Sequence, residues 1–135
     1  MPSELIVVDA SVLVAALVSV SPAANKARDA LTDDKIVCMP HLADLEITNA
    51  LRNMIRRKEI SEDSAFRALT TIKKMEIVRY PHTDFLDRIW ELRNSITPYD
   101  AAYIALTEAL QTIFITADKR LSQAHGIKCK IELLA

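Results

Sequence analysis

Glycine is almost absent from this sequence, which contains only Gly126 and five prolines in 135 residues. An all-β fold with many tight turns normally needs more of both residues, so the composition disfavours that class. Half of the residues are hydrophobic, which is too many for a disordered chain. The length suits one compact structure with its own core. We therefore expect a single domain that spans residues 1–135.

Cysteine is equally scarce, since the chain has only Cys38 and Cys129. The two lie far apart in strand-like runs and form no CxxC pair, whereas zinc sites and disulfide frameworks usually show close spacing. The favoured interpretation is two buried free thiols in a reducing compartment. A disulfide or a zinc site is the alternative.

Long apolar runs and a large excess of charge of either sign are also missing. No run approaches the roughly 20 residues that cross a bilayer, and residues 1–4 lack the basic segment of a signal peptide. We expect a soluble cytoplasmic protein with no membrane partner. The net charge of −1 does not by itself indicate binding to nucleic acid.

Short apolar runs alternate with helical patterns along the chain. Residues 5–8 form a continuous aliphatic run, which is typical of a strand buried on both faces. The alternation predicts an α/β fold, a mostly parallel sheet of four to five strands with helices on both faces. The predicted strands are 5–8, 35–39, 76–80, 112–116 and 127–133. The predicted helices are 11–18, 23–31, 41–58, 61–75, 83–94, one that opens at 97–100, and 119–124 with Gly126 as its stop, while Asp33 and Asp34 mark a turn.

Four acidic residues are expected to meet at one edge of this sheet. Asp9 and Asp118 directly follow predicted strands, and parallel strands end at a common edge where ligands of such folds bind. Glu46 lies early in the helix after the second strand, and Asp100 lies in the first turn of the helix before the fourth. Each acid alone could be a helix cap or a solvated surface group.

Taken together, these four acids predict a metal site. Four carboxylates would repel one another unless a cation neutralised them or some were protonated. Oxygen ligands suit Mg²⁺ or Mn²⁺ better than Zn²⁺, and such ions activate water in phosphodiester hydrolysis. Asp9, Asp100 and Asp118 would bind the metal. Glu46 would be a further ligand or would orient the attacking water.

Nearby polar residues are candidates for supporting roles. Ser11 and Thr116 each lie two residues from a strand-end Asp, where a hydroxyl could hydrogen-bond a metal-bound carboxylate or cap the backbone. Asn49, one turn after Glu46, could orient that residue or contact substrate. A plain surface asparagine is the alternative.

The distribution of charge gives weak support for a polyanionic substrate. Setting the four acids aside from the 18 acidic residues leaves 14, against 17 lysines and arginines. Arg56 and Arg57 belong to the same predicted helix as Glu46 and are candidates for phosphate contacts, or form an ordinary solvated helix end. The sequence shows no alternation of aromatic and basic residues of the kind that stacks nucleobases.

Four segments resemble the successive motifs of the PIN domain, in that family's order and across nearly the whole chain. Within that family, the single-domain length of the chain and the third motif are most similar to the VapC-type toxins of bacterial and archaeal toxin–antitoxin pairs. The segments are residues 8–13 (VDASVL), 46–51 (EITNAL), 99–106 (YDAAYIAL) and 115–121 (ITADKRL).

The resemblance implies a Mg²⁺- or Mn²⁺-dependent endoribonuclease that cuts RNA, forms a homodimer and is inhibited by a VapB-type antitoxin. By motif, the family's acidic quartet corresponds to Asp9, Glu46, Asp100 and Asp118, and its accompanying hydroxyl positions correspond to Ser11 and Thr116. One departure lies at Gln111 and Thr112, where a turn containing glycine is common. That departure concerns the turn and not the acids.

Two other functions stay open from the residues alone. A non-catalytic α/β interaction domain of the receiver type would carry an acceptor Asp after a middle strand, but the second predicted strand ends in Met39 and Pro40. A nuclease acting on DNA would need the same acids. Nothing in the sequence reads a 2′-hydroxyl group.

Overall fold

Five parallel strands form one sheet in the computed structural model, which describes residues 4–32 and 34–134. Their order is β3-β2-β1-β4-β5, and every neighbouring pair is parallel, which confirms the predicted sheet. Residues 1–3 and 135 of the predicted domain, and Asp33 of the predicted turn, lie outside the described residues. The strands are β1 (Glu4–Val8), β2 (Lys35–Pro40), β3 (Ile77–Tyr80), β4 (Ile113–Thr116) and β5 (Lys130–Leu133).

The helices form two groups. The second, third and fourth each contact the first, and the fifth packs on the sixth, which itself contacts β1, β2 and β4. Ile6, Val7 and Val8 of β1 are all buried although successive side chains point to opposite faces, so both faces of the sheet are covered as predicted. The helices are α1 (Ala10–Val18), α2 (Pro22–Ala30), α3 (Leu42–Arg56), α4 (Glu62–Lys74), α5 (Leu86–Glu91) after a 3₁₀ turn (Thr83–Phe85), α6 (Pro98–Leu110) and α7 (Lys119–Ser122).

Helix α6 packs closely against the sheet because its contact residues are small. Ala101, Ala102 and Ala105 are buried, which allows the helix backbone to approach the strands. Tyr103 on the same helix packs against Phe114 of β4, with ring centroids 5.4 Å apart. Both aromatic side chains are fully buried. This contact helps to fix the position of α6 on β4.

Hydroxyl side chains start several helices where the sequence predicted a start. Ser61 caps α4 by accepting a hydrogen bond from the Ser64 amide at 3.1 Å. Thr97 caps α6 by accepting one from the Asp100 amide at 3.2 Å, with Pro98 in the first helical turn. Asp100 therefore occupies a defined position one turn from a capped helix end.

The prediction for the helix near residue 119 is wrong in its length. It extended over residues 119–124 with Gly126 as the stop, whereas α7 is a single turn that ends at Ser122. Gly126 adopts φ +85° in the turn that follows. Its carbonyl accepts a hydrogen bond from Nη2 of Arg88 at 2.7 Å, so a contact with a distant helix sets this turn.

Two other predicted boundaries also move. The strand predicted from residue 127 begins only at Lys130, because the Lys128 amide donates to Oε2 of Glu108 at 2.9 Å instead of to a neighbouring strand. Glu108 is itself held by Arg88 in a two-pronged ion pair of 2.7 and 3.0 Å. The helix predicted over 83–94 is a 3₁₀ turn followed by α5, which ends at Glu91.

Two predictions about the whole chain can be compared with the fold. Cys38 and Cys129 are both free as predicted, and Cys38 is buried, whereas Cys129 is only partly buried. Within the described residues, no single helix is long and apolar enough to cross a membrane. Helices α1 and α2 reach that length and hydrophobicity only when they are counted together, and the chain bends by 113° between them.

The turn between α6 and β4 should limit stability. Gln111 adopts a left-handed conformation, with φ 54° and ψ 48°, at the end of α6, and a side chain there costs about 1–2 kcal/mol. Gln111→Gly should therefore raise the free energy of unfolding by up to about 1 kcal/mol, less than the full strain because glycine also loosens the unfolded chain. Urea denaturation measures this change.

Gln123→Gly is the matched control for this substitution. Gln123 is also exposed and also ends a helix, but its φ is −108°. Glycine should therefore relieve no strain there and should lower the free energy of unfolding by about 0.5–1 kcal/mol. Equal effects at the two positions would contradict the explanation from backbone strain.

Candidate active site

The acidic residues collect where the chain switches from adding strands on one side of β1 to adding them on the other. From β1 at the centre, the chain builds β2 and β3 on one side and then β4 and β5 on the other. The backbone amide of Asp9, directly after β1, donates to the carbonyl of Ile115 in β4 at 2.9 Å. Open α/β folds bind ligands beyond the carboxyl ends of their strands at such a point.

A buried hydroxyl connects the acids that follow β1 and β4. Thr116, the last residue of β4, is fully buried and donates from Oγ1 to Oδ2 of Asp9 at 2.8 Å. The same Oγ1 accepts a hydrogen bond from the amide of Asp118 at 3.0 Å. Asp9 occupies the N-cap position of α1, but its carboxylate makes no capping hydrogen bond. Thr116 therefore orders both acids, and Asp9 does not serve as a side-chain cap.

Asp118 is held by an arginine from its own turn. Its Oδ1 accepts from the amide of Arg120 at 3.0 Å, which caps α7. The Arg120 guanidinium also reaches both carboxylate oxygens, at 3.2 and 2.8 Å. The guanidinium makes the largest contribution to holding the pKa of Asp118 below its usual value, and the hydrogen bond from the Arg120 amide adds to it. The arginine side chain itself is 86% exposed, so the pair lies at the solvent edge of the rim.

Glu46 is fixed from the opposite side by a tyrosine that the sequence analysis missed. The hydroxyl of Tyr103 donates to Oε1 of Glu46 at 2.6 Å. Burial, and then the contact with Glu46, raise the pKa of Tyr103 well above its usual value. Tyr103 lies three residues after Asp100, so the two side chains share one side of α6. That spacing was the only signal in the sequence.

Burial raises the pKa of the Asp9, Glu46 and Asp100 carboxyls above their usual values. The acids also act on one another, since Asp100 and Asp118 raise the pKa of Asp9, and Asp9 and Asp100 raise that of Glu46. Thr116 and Tyr103 partly offset these shifts by hydrogen bonding. The structure thus brings the four acids into one electrostatic environment.

The chemistry of this donor set fits a hard divalent cation. The four groups are carboxylates, whose mutual repulsion a bound cation would relieve. As the side chains stand, no three Asp, Glu, His or Cys residues in the described ranges are arranged to hold an ion. Two of the four acids are already engaged by other side chains, Asp118 by Arg120 and Glu46 by Tyr103. Release of Asp118 from Arg120 would free a carboxylate for a cation.

Two of the predicted supporting residues lie near the acids but are exposed. Ser11 is in the first turn of α1, two residues from Asp9. Asn49 lies on α3 one turn beyond Glu46. Both are placed where a substrate could reach them. Neither has the buried position that Thr116 has.

The two predicted phosphate contacts lie at the far end of α3. Arg56 is ten residues beyond Glu46, which corresponds to about 15 Å along the helix axis. Arg57 is exposed and lies 3.6 Å from a carboxylate oxygen of Glu59. The structure therefore does not bring these arginines to the acids, and only an extended substrate could contact both regions.

Comparison with known proteins agrees with this architecture. The family model described as PIN domain matches residues 6–127. Ribonuclease VapC1 of Mycobacterium tuberculosis is 40% identical over 129 residues, which cover 95% of this chain and 96% of that protein. VapC ribonuclease Mb0985 of Mycobacterium bovis is 38% identical over 130 residues, which cover 96% and 98%.

A solved structure shares the fold at low sequence identity. The crystal structure of VapBC2 from Rickettsia felis, bound to a DNA fragment from its promoter, aligns with a TM-score of 0.68 and 12% identity. The alignment covers 97% of this chain and 99% of that one. From the family match and the two relatives, the chain belongs to the PIN-domain family and, within it, to the VapC ribonucleases.

Proposed function

We propose that this protein is an endoribonuclease that requires Mg²⁺ or Mn²⁺, hydrolyses RNA phosphodiesters with water, and is the toxin of a VapBC-type pair. The observation that carries the proposal is the meeting of four carboxylates beyond the carboxyl ends of the adjacent strands β1 and β4. Relatives named ribonucleases that match nearly the whole chain support it.

In this proposal, Asp9, Asp100 and Asp118 hold the cation, and Glu46 is a further ligand or orients the attacking water. When bound, the cation would supply an activated water and neutralise charge on the phosphate. Thr116 keeps the Asp9 carboxylate in one orientation through its 2.8 Å hydrogen bond. Tyr103 does the same for Glu46 at 2.6 Å. Asp9 and Glu46 would therefore each be ordered by an uncharged hydroxyl group.

The remaining predicted residues would act on the substrate. Ser11 and Asn49 are exposed beside the acids and would contact RNA or orient an acid. Arg56 and Arg57, roughly 15 Å away along α3, would contact phosphates of an extended strand. Phosphate contacts of this kind fix position on the strand and do not read its sequence.

We also propose a VapB-type antitoxin as the protein partner, a homodimer as the assembly and the cytoplasm as the site of action. Support for the partner comes from the fold shared with VapBC2 of Rickettsia felis. An RNA substrate inside the cell agrees with a cytoplasmic toxin.

Replacement of Asp9 should abolish cleavage without unfolding the protein. Asp9→Asn keeps an oxygen that accepts the hydrogen bond from Thr116 but removes a buried negative charge. We expect loss of cleavage of single-stranded RNA with Mg²⁺ or Mn²⁺, and a free energy of unfolding in EDTA that is unchanged or up to about 1 kcal/mol higher. A gel assay and urea denaturation measure the two effects.

Asp63→Asn is the control, because Asp63 is an exposed acid in the first turn of α4. It should retain wild-type cleavage. Asp100→Asn should behave like Asp9→Asn, and full activity of both active-site variants would show that the site is assigned wrongly. Cleavage of a matched DNA strand but not of RNA would instead indicate a DNA nuclease.

A divalent cation should stabilise the wild-type protein even without substrate. A ligand that binds only the folded state at 100 times its Kd adds about 2.7 kcal/mol to the free energy of unfolding. Mg²⁺ or Mn²⁺ should therefore raise the Tm of the wild type in a thermal-shift assay and leave that of Asp9→Asn nearly unchanged. Equal stabilisation of both proteins would place the ion elsewhere.

Tyr103 should act as a positioning residue for Glu46. Tyr103→Phe removes the hydroxyl that donates to Glu46 and keeps the ring that packs on Phe114. We expect kcat to fall about 10- to 100-fold with little change in KM, because Glu46 loses its fixed orientation. Loss of a buried hydrogen bond should also lower the free energy of unfolding by about 1 kcal/mol.

Thr107→Val separates these two effects. Thr107 is fully buried on the same helix, and its hydroxyl donates to the carbonyl of Tyr103 at 2.7 Å without touching Glu46. This variant should lose comparable stability and keep its kcat. A similar fall in kcat for both variants would mean that Tyr103 acts only through the core.

A further inference from the structure

A cleft of about 440 Å³ opens directly beside the acidic rim. Its volume lies within the range of small-ligand sites. The segment between α5 and α6 forms one wall and the start of α7 forms the other. The polar and charged residues that line it are Arg93, Asn94, Ser95, Thr97, Asp100, Asp118 and Arg120.

Two guanidinium groups border this cleft, and their partners differ. Arg120 is paired with Asp118. Arg93 makes no ion pair within residues 4–32 and 34–134, and its Nη1 donates to the carbonyl of Trp90 at 2.9 Å. An arginine has five N–H donors, so most of those on Arg93 stay available to a ligand.

Arg93 also lies over an exposed aromatic ring. The centre of its guanidinium is 4.5 Å from the centroid of the Trp90 ring, and Trp90 is 67% exposed. Nucleobases of single strands stack on aromatic rings and on guanidinium planes. The sequence shows no alternation of aromatic and basic residues, and this pair was not predicted. It forms in the turn after α5, which brings two residues three apart together.

We propose that this cleft binds a nucleotide of the substrate RNA that flanks the scissile phosphate. Arg93 contacts a phosphate, and the stacked pair of Trp90 and Arg93 supports a base. Arg120 closes the opposite side of the cleft. This inference rests on the proposed ribonuclease function and names a substrate contact within it.

The charge of the rim explains why RNA needs such a contact. Asp100 and Asp118 line the same cleft, and their negative charges repel a phosphodiester. Arg93 and Arg120, on the two walls of the cleft, offset this repulsion and raise the local concentration of a polyanion. Single-strand binding sites combine positive groups with a stacking surface. Here Arg93 lines the cleft, and the exposed ring of Trp90 on which it stacks lies at the border of the cleft.

The test is the affinity of a short single-stranded RNA for proteins that carry Asp9→Asn, so that the RNA stays intact. In Mg²⁺, Arg93→Ala should raise the Kd measured by fluorescence anisotropy about tenfold. The slope of log K against log salt should become shallower by about 0.7, the value for one phosphate contact to a single strand. Arg93→Lys should restore the salt slope but not the full affinity, because lysine lacks the planar group.

Two further variants separate charge from stacking. Trp90→Leu should raise the Kd without changing the salt slope, and its mass by light scattering should equal that of the parent. Arg67→Ala is the matched control, since Arg67 is an exposed arginine on α4, in the other group of helices. It should leave both the Kd and the salt slope unchanged.

The outcomes distinguish this inference from the proposed function. In a background with Asp9 intact, Arg93→Ala should keep kcat within about twofold at saturating RNA while KM rises, as expected for lost ground-state binding. A wild-type Kd and salt slope for Arg93→Ala, or a Trp90→Leu effect that comes with an altered mass, would overturn the cleft assignment alone. A wild-type protein that binds RNA and never cleaves it would overturn the ribonuclease and leave the binding result standing.

Discussion

The hydroxyl of Thr116 is the contact on which the arrangement of the rim depends. It donates to Asp9 at 2.8 Å and accepts from the amide of Asp118 at 3.0 Å, so it joins the acids that follow two neighbouring strands. It can do so only because β1 and β4 are adjacent and in register, with Val8 beside Ile115. A neutral donor in a fully buried position orders a carboxylate without neutralising it. The proposed cation site therefore keeps its negative charge while its geometry is fixed.

Helix α6 completes the rim by placing two side chains one turn apart. Asp100 contributes a carboxylate, and Tyr103 holds Glu46 on α3 at 2.6 Å. Burial of these acids raises their pKa values, so their charged forms are disfavoured by the fold itself. The packing of Tyr103 on Phe114 keeps α6 from moving away to relieve the burial of these acids and the repulsion between them. Arg120 and, beyond it, Arg93 bring positive charge to the exposed border of the rim.

Agreement between sequence and structure is best where the signal is local. Ser61 and Thr97 cap their helices as predicted, because a hydroxyl bonds an amide only three residues away. The last part of the chain was predicted poorly, since Glu108 draws the Lys128 amide out of the strand across 20 residues of sequence. The turn at Gln111 was predicted in part. The missing glycine in its turn was noticed from the sequence, and the structure shows the left-handed backbone that a glycine would have favoured.

The sequence by itself determined which segments become strands and helices and that acids follow two of the strands, because hydrophobic periodicity and capping act over a few residues. Only the tertiary structure decided that β1 lies between β2 and β4, and hence that Thr116 reaches Asp9 across 107 positions. It also decided that Tyr103 holds Glu46 across 57 positions and that Arg93 shares a cleft with Asp118. These contacts depend on strand order and on helix packing over the whole core, which no local pattern encodes.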